Sequence, residues 1–303
     1  MAVYTHVSAE SLTRFLSLYD VGELVSAKGI AEGVENSNYL VDTTLGRYIL
    51  TLYEKRVAAG DLPYFLALLD HLAARDQPVP PAIKDRDGVA IQELEGRPAC
   101  LIRFLPGVSL SNPTPRQAFA AGRALGAMHG AAADFAPTRP NSMGAETWQG
   151  LYERCGRSLD RIAPGLHADL GFAIGDVLAT WPIHLDRGVI HADLFPDNVL
   201  MRGNDITGLI DFYFACTDFR LYDLAIMHVA WSFDASGRRY DAAVGEAIVA
   251  GYGAPGEEEM MYFSDLAVGA CIRFTLSRAW DWLNTPVDAV VTRKDPLAFW
   301  RRL

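Results

Sequence analysis

One stretch, GVIHADLFPDNVLMRGNDITGLIDFYFA at positions 188–215, constrains this chain more than any other. Two β-prone runs, 199–201 and 206–210, are interrupted by polar residues where a core alone would not demand them. The turn-type pair Asn204-Asp205 lets these runs close as a tight hairpin, and in that register Asn198 stands opposite Asp211. An amide oxygen and a carboxylate then meet at the hairpin's open end, a donor set suited to a hard divalent cation. Asp193, on the loop just before, is placed to accept a proton from a substrate hydroxyl as general base. Singly, each residue has a plainer reading, with Asp193 capping a turn and Asn198 bonding loop backbone.

Around this β island the periodicity divides the chain. Positions 8–19 space Leu12, Phe15, Leu16 and Tyr19 as an amphipathic helix, and positions 24–53 hold three short β-prone runs. A second helix starts near Asp61, a plausible cap, and stops before QPVPPAI. Positions 88–105 then read as a hairpin turning at Glu95-Gly96, giving a sheet of about five strands. Pro106-Gly107 ends that pattern, and helical spacing dominates afterwards at 115–133, 147–162, 168–186, 223–233, 240–252 and 257–283. The expectation is an α+β chain of two domains, 1–105 and 106–303, consistent with single cores ceasing to grow near roughly 250–300 residues.

Half of the 303 residues are apolar and 21% are charged, enough to bury a core without help. The net charge of −10, with no lysine-rich block, argues against a nucleic-acid binder. Cys100, Cys155, Cys216 and Cys271 are far apart and form no CxxC pair, so buried reduced thiols are expected rather than a zinc cluster or a disulfide framework. No signal-peptide pattern and no apolar run of about 18 residues is visible, which points to a cytoplasmic protein with no membrane partner. Oligomeric state leaves no mark in the sequence.

His-x-Asp, then Asn after four intervening residues, then a strand pair ending in Asp, matches the kinase catalytic loop and its metal-binding aspartate in order and spacing. HADLFPDN and LIDFYFA resemble the corresponding motifs of the aminoglycoside phosphotransferase and choline kinase superfamily. GVENSNYLV, RYILTLYEKR, CLIRFLPG, ALGAMHGAAADF, LYDLAI and SRAWDWLNTPVDAVVTRKDPL extend the likeness over nearly the whole chain, specifically to the type II homoserine kinase family. That resemblance implies a protein-kinase-like bilobal fold, with an antiparallel-sheet lobe that binds nucleotide and a mostly helical lobe that carries the catalytic loop and acceptor site. It also implies ATP and Mg2+ as cofactors and L-homoserine as the acceptor, with threonine biosynthesis as the setting.

Carried over by position, the resemblance makes Asp193 the catalytic base, His191 the brace of its loop, and Asn198 and Asp211 the Mg2+ ligands. Asp223 becomes a supporting carboxylate, although capping the following helix explains it equally well. On the nucleotide side, KGIAEGVENSN takes the place of the glycine-rich loop without being GxGxxG, with Ser37 near the phosphates. Thr51 stands where the family usually has a phosphate-contacting cation, while Lys55 shares its strand face and either reaches inward or is a solvated strand end. Backbone groups around Arg103 and Leu105, at the hinge between lobes, would contact adenine.

Homoserine offers a carboxylate and an ammonium, so Arg273 and Arg278 are candidate carboxylate ligands and Asp281 a candidate ammonium partner. Surface ion pairing is the commoner fate of such residues, and Trp231 and Trp280 are either pocket walls or core. Two alternatives stay open: a kinase of choline, another amino alcohol or an aminoglycoside, and a nucleotide-binding protein without catalysis.

Overall fold

The computed structural model describes residues 5–30, 36–54, 59–253, 255–285 and 294–303. The chain forms two compact units, Met1–Pro106 and Gly107–Leu303.

In the first unit, α1 (Ala9–Leu16) opens on Ser8, whose hydroxyl caps the Ser11 N–H. Strands β1 (Leu24–Gly29), β2 (Asn36–Thr43) and β3 (Arg47–Tyr53) form an antiparallel meander. Helix α2 (Leu62–Ala73) follows, and then β4 (Ala82–Ile83), β5 (Gln92–Leu94) and β6 (Arg97–Arg103). The strands make one six-stranded sheet in the order β1-β2-β3-β6-β4, with β5 paired to β6. Glu95 and Gly96 both take positive φ, which makes the β5–β6 turn the expected two-residue hairpin. The additional strand, β4, spans two residues after Pro80-Pro81, too short to show alternation. Leu12, Phe15, Leu16 and Tyr19 of α1 and the turn after it bury against Tyr39, Val41, Leu50, Leu52 and Leu101 on one sheet face. Asp61 sits at the N-cap position of α2 but makes no side-chain capping bond there, because a 3-10 turn at Ala59–Asp61 already leads into the helix.

The second unit begins with α3 (Pro115–Ala131), closed by a capping box between Thr114 and Gln117. Helices α4 (Ala145–Cys155) and α5 (Leu166–Thr180) come next, α5 stopping six residues short of expectation because Pro182 cannot continue it. The β island contains β7 (Arg187–Ile190), β8 (Val199–Arg202), β9 (Asp205–Leu209) and β10 (Cys216–Phe219), paired as β7 with β10 and β8 with β9. Helices α6 (Arg220–Trp231), α7 (Ala242–Tyr252), α8 (Glu257–Met260), α9 (Phe263–Asn284) and α10 (Leu297–Trp300) complete the unit. Of the twelve residues of α6, only Arg220 and His228 escape full burial, so this helix is the unit's core.

The β8–β9 register differs from the expected one. Val199 pairs with Leu209 and Arg202 with Asp205, so the turn is Gly203-Asn204, and a bulge lies between Leu200 and Met201. Gly203 takes φ 63°, the glycine-first geometry of a two-residue hairpin turn, and this outcompetes Asn204-Asp205. Asn198 consequently faces Ile210, whose N–H donates to the Asn198 carbonyl at 3.0 Å, and Asp211 is the next residue along.

Candidate active site

Asp223 anchors the loop after β7. Buried within α6, its Oδ2 accepts the His191 N–H at 2.7 Å and its Oδ1 the Ala192 N–H at 2.8 Å. It lies inside the helix, which starts at Arg220, so the capping reading is corrected. His129 on α3 places Nε2 3.0 Å from the same Oδ2 and Nδ1 2.9 Å from the Tyr252 hydroxyl on α7. Burial alone would push the Asp223 carboxyl up, but the hydrogen bond and charge of His129 and the His191 N–H outweigh it and hold it below its ordinary value.

The His191 ring is fully buried, with Nε2 3.0 Å from the Ile210 carbonyl and Nδ1 3.3 Å from the Asp193 N–H. A carbonyl only accepts and an N–H only donates, so Nε2 carries the proton, Nδ1 is bare and the ring is neutral. Burial lowers its pKa against the opposing pull of Asp223 and the Ile210 carbonyl. His191 therefore braces the loop, and its ring nitrogens are both engaged.

Between His191 and Asp193, Ala192 takes φ 63°, a left-handed conformation that costs a non-glycine residue roughly 1–3 kcal/mol. Both its peptide groups are pinned, the N–H by Asp223 and the carbonyl by the Arg273 guanidinium. Farther along, the Trp231 indole N–H donates to the Leu194 carbonyl at 2.9 Å. Asp193 is half-buried at the centre of this frame.

The Asn198 amide nitrogen donates to the Asp193 carbonyl at 2.8 Å and to its Oδ2 at 3.3 Å. These bonds engage the nitrogen end of the amide and leave Oδ1 as a metal donor. Ile210 ties the parts together, since its N–H meets the Asn198 carbonyl and its carbonyl meets His191. Asp211 follows directly, exposed and left-handed at φ 67°, at the entry to a 3-10 turn at Phe212–Phe214. An amide oxygen and a carboxylate fit Mg2+, which is held by one or two protein groups with the rest from phosphate and water. Among the described residues no group of three or more His, Cys, Asp or Glu could hold a metal ion.

The structure sorts the remaining candidates. Arg273 is 2% exposed and lies over Phe274 at 4.4 Å, so it is a buried brace of the loop rather than a ligand for acceptor. Arg278 is half-buried on the same helix, over the Phe299 ring at 4.5 Å, and Asp281 follows three residues on. Trp231 is a loop brace, 3% exposed, and not a pocket wall. Trp280 is half-buried with the Arg154 guanidinium 5.1 Å over its ring.

In the first unit, Ser37 pairs with Leu52 and Asn38 with Thr51. Strand alternation therefore puts Ser37 on the face packed against α1 and Thr51 on the opposite face. The Ser37 hydroxyl donates to Glu54 at 2.7 Å and accepts the Thr5 N–H at 3.0 Å, so the expected side-chain approach to phosphate is corrected. Thr51 is 2% exposed and donates to Asn38 Oδ1 at 2.8 Å. The Arg103 N–H goes to the Pro81 carbonyl, whereas among the described residues the Leu105 backbone makes no hydrogen bond. Gly33 of the KGIAEGVENSN loop and Lys55 lie outside the described residues.

Sequence reasoning missed His129. Its signal was a histidine on the buried stripe of α3, with Leu125 and Met128.

A model of the phosphotransferase enzyme family matches residues 26–263. Over 308 residues the chain is 51% identical to the homoserine kinase of Zymomonas mobilis subsp. mobilis, covering 100% of this chain and 96% of that one. It is 49% identical to the homoserine kinase of Methylobacterium sp. (strain 4-46), covering 100% and 95%. The chain belongs to the phosphotransferase enzyme family, within its homoserine kinases.

Solved structures share the family fold at low identity. An amicoumacin kinase in complex with AMP-PNP and Ca2+ aligns with a TM-score of 0.73 at 13% identity, covering 97% of this chain and 92% of that one. A spectinomycin phosphotransferase in complex with ADP and spectinomycin gives 0.71 at 15%, covering 98% and 94%. A microcompartment-associated aminopropanol kinase gives 0.70 at 21%, covering 97% and 94%. The α+β, kinase-like class expected from the sequence is the class observed.

Proposed function

We propose that the chain transfers the terminal phosphoryl group of ATP to the side-chain hydroxyl of L-homoserine, giving O-phospho-L-homoserine on the way to threonine. The observation that carries this reading is a carboxylate base, an amide oxygen and a second carboxylate strung on one hydrogen-bonded frame through Ile210, in a chain half identical to homoserine kinases. The nucleotides in the amicoumacin and spectinomycin enzymes support ATP as donor.

Asp193 orients the acceptor hydroxyl and accepts its proton as the new P–O bond forms and the bond to the leaving ADP breaks, a role worth about 10²- to 10⁴-fold. Asn198 Oδ1 and Asp211 hold Mg2+, which when bound neutralises charge on the nucleotide phosphates. The frame around His191 keeps these groups from relaxing, so little reorganisation is needed at the moment of transfer. In the first unit, the Leu105 N–H and carbonyl serve adenine. The four cysteines are free and buried, with the Cys100 and Cys155 thiols pushed up to about 11 and the other two to about 12, and such thiols suit a reducing cytoplasm. Among the described residues no helix is long and apolar enough to cross a membrane.

The test is ADP release from Mg-ATP with homoserine, serine, threonine, choline, ethanolamine and an aminoglycoside. Homoserine-dependent turnover well above the others is expected. Turnover on another acceptor would replace the substrate, and nucleotide binding with no turnover on any acceptor would contradict catalysis.

A further inference from the structure

The homoserine kinase reading leaves open how the site tells a zwitterionic amino acid from the cationic alcohols that other kinases of this fold accept. Three features of α9 and α10 bear on it. The aromatic rings of Phe195, Phe274 and Phe299 form one cluster, with centroids 4.8 Å apart for Phe195–Phe274, 5.7 Å for Phe195–Phe299 and 4.7 Å for Phe274–Phe299. Phe195 lies two residues after Asp193, so this cluster clamps the catalytic loop to both helices. Arg278 stands one turn beyond Phe274 on α9, with its guanidinium over the Phe299 ring.

The two arginines of α9 then part company. Arg273 is buried and committed to the Ala192 carbonyl. Arg278 has one hydrogen bond among the described residues, a long one of 3.5 Å to the Asp295 carbonyl, and no ion pair there. The Phe299 ring beneath its guanidinium lies 5.7 Å from that of Phe195, two residues from Asp193, so this cation stands on the cluster that carries the proposed base. A guanidinium half withdrawn from water, with most of its five donors unclaimed by described residues, is suited to a bidentate carboxylate.

We propose that Arg278 is the specificity residue of the acceptor site and pairs with the α-carboxylate of the substrate. This assignment rests on the homoserine kinase reading for the identity of the acceptor, but its content is narrower: the acceptor carries a carboxylate and Arg278 reads it. The carboxylate of homoserine lies only a few bonds from the hydroxyl that Asp193 must reach, so a cation near Asp193 is where the chemistry needs one. A cationic alcohol without a carboxylate would leave this guanidinium unpaired and face its charge.

The experiment compares kcat/KM for homoserine and for 2-amino-1,4-butanediol, the same molecule with the carboxylate reduced to an alcohol, in the wild type, Arg278→Met and Arg278→Lys. Loss of a charge-assisted bidentate contact should lower kcat/KM for homoserine on the order of 100-fold in Arg278→Met, mostly through KM. The butanediol should change less than about threefold, KM for ATP should hold, and Arg278→Lys should recover part of the homoserine loss. An unchanged KM for ATP shows that the variants are folded. Equal losses on both acceptors would overturn the proposal and make Arg278 a group that acts through Asp193. Wild-type preference for serine or threonine with the same Arg278 dependence would sink homoserine and support the carboxylate contact, whereas wild-type preference for acceptors lacking a carboxylate would overturn it.

Discussion

His191 is neutral because no water reaches it, and both of its ring nitrogens already have partners. Unfolding returns the ring to water, where it titrates at its ordinary value near 6.5, and the same holds for His228, whose pKa burial also lowers. Below that pH the unfolded chain binds protons that the folded chain refuses, so stability is full above about 6.5 and declines as the pH falls. Urea midpoints should therefore drop from pH 7.5 to pH 5.5, and a flat profile would remove the neutral, buried assignment. Asp223 adds to acid sensitivity in a lower window, because its depressed carboxyl contributes stability that is lost only as pH falls below its ordinary value of 3.8. Thr51 tests a different point. Its hydroxyl bonds Asn38 across the sheet, so Thr51→Val should cost about 0.5–1.5 kcal/mol of stability and shift KM for ATP by less than about threefold. A large rise in KM for ATP would show instead that Thr51 serves the nucleotide.

Among the elements, α6 holds the loop from His191 to Leu194, and α3 with α7 hold the Asp223 carboxylate of α6 in place. Asp223 near one end of α6 and Trp231 at the other bracket His191 to Leu194. Helices α3 and α7 approach backbone to backbone, since a Cβ on Gly122 would come 2.2 Å from the Ile248 carbonyl oxygen. That closeness lets Tyr252 reach His129, which in turn meets Asp223. Gly122→Ala should destabilise by about 1–3 kcal/mol and depress kcat. Gly130→Ala, in the same helix with open space around its Cβ, should be neutral or stabilise by up to about 1 kcal/mol. Matched effects in the two variants would contradict the close-approach argument. The elements themselves were readable wherever apolar spacing was regular, as in α1, α3 and the β5–β6 hairpin. The β8–β9 register was not, because Gly203 competed with Asn204-Asp205 for the turn and a bulge has no sequence period. Helical spacing marked His129 as buried but not its role, since its partner Asp223 lies far along the chain and local pattern says nothing of such a meeting.

For the whole molecule, the proposed chemistry rests on the order His191, Asp193, Asn198, Asp211, which a loop and a hairpin bring together while Asp223, Trp231 and Arg273 pin the loop from α6 and α9. Nucleotide and acceptor contacts were less legible. The adenine contact proposed at the Leu105 backbone would leave no side-chain signature, and Ser37 was separated from Thr51 only once the sheet register showed which face each takes. Arg273 and Arg278 look alike in sequence, and burial alone distinguishes the brace from the half-exposed cation. The central claim, that Asp193 is the base of a phosphotransfer to homoserine, is tested most directly by homoserine turnover and Mg-ATP affinity in Asp193→Asn. Turnover should fall by about 10²- to 10⁴-fold, with nucleotide affinity within about threefold of wild type. Turnover near the wild-type rate would contradict the assignment.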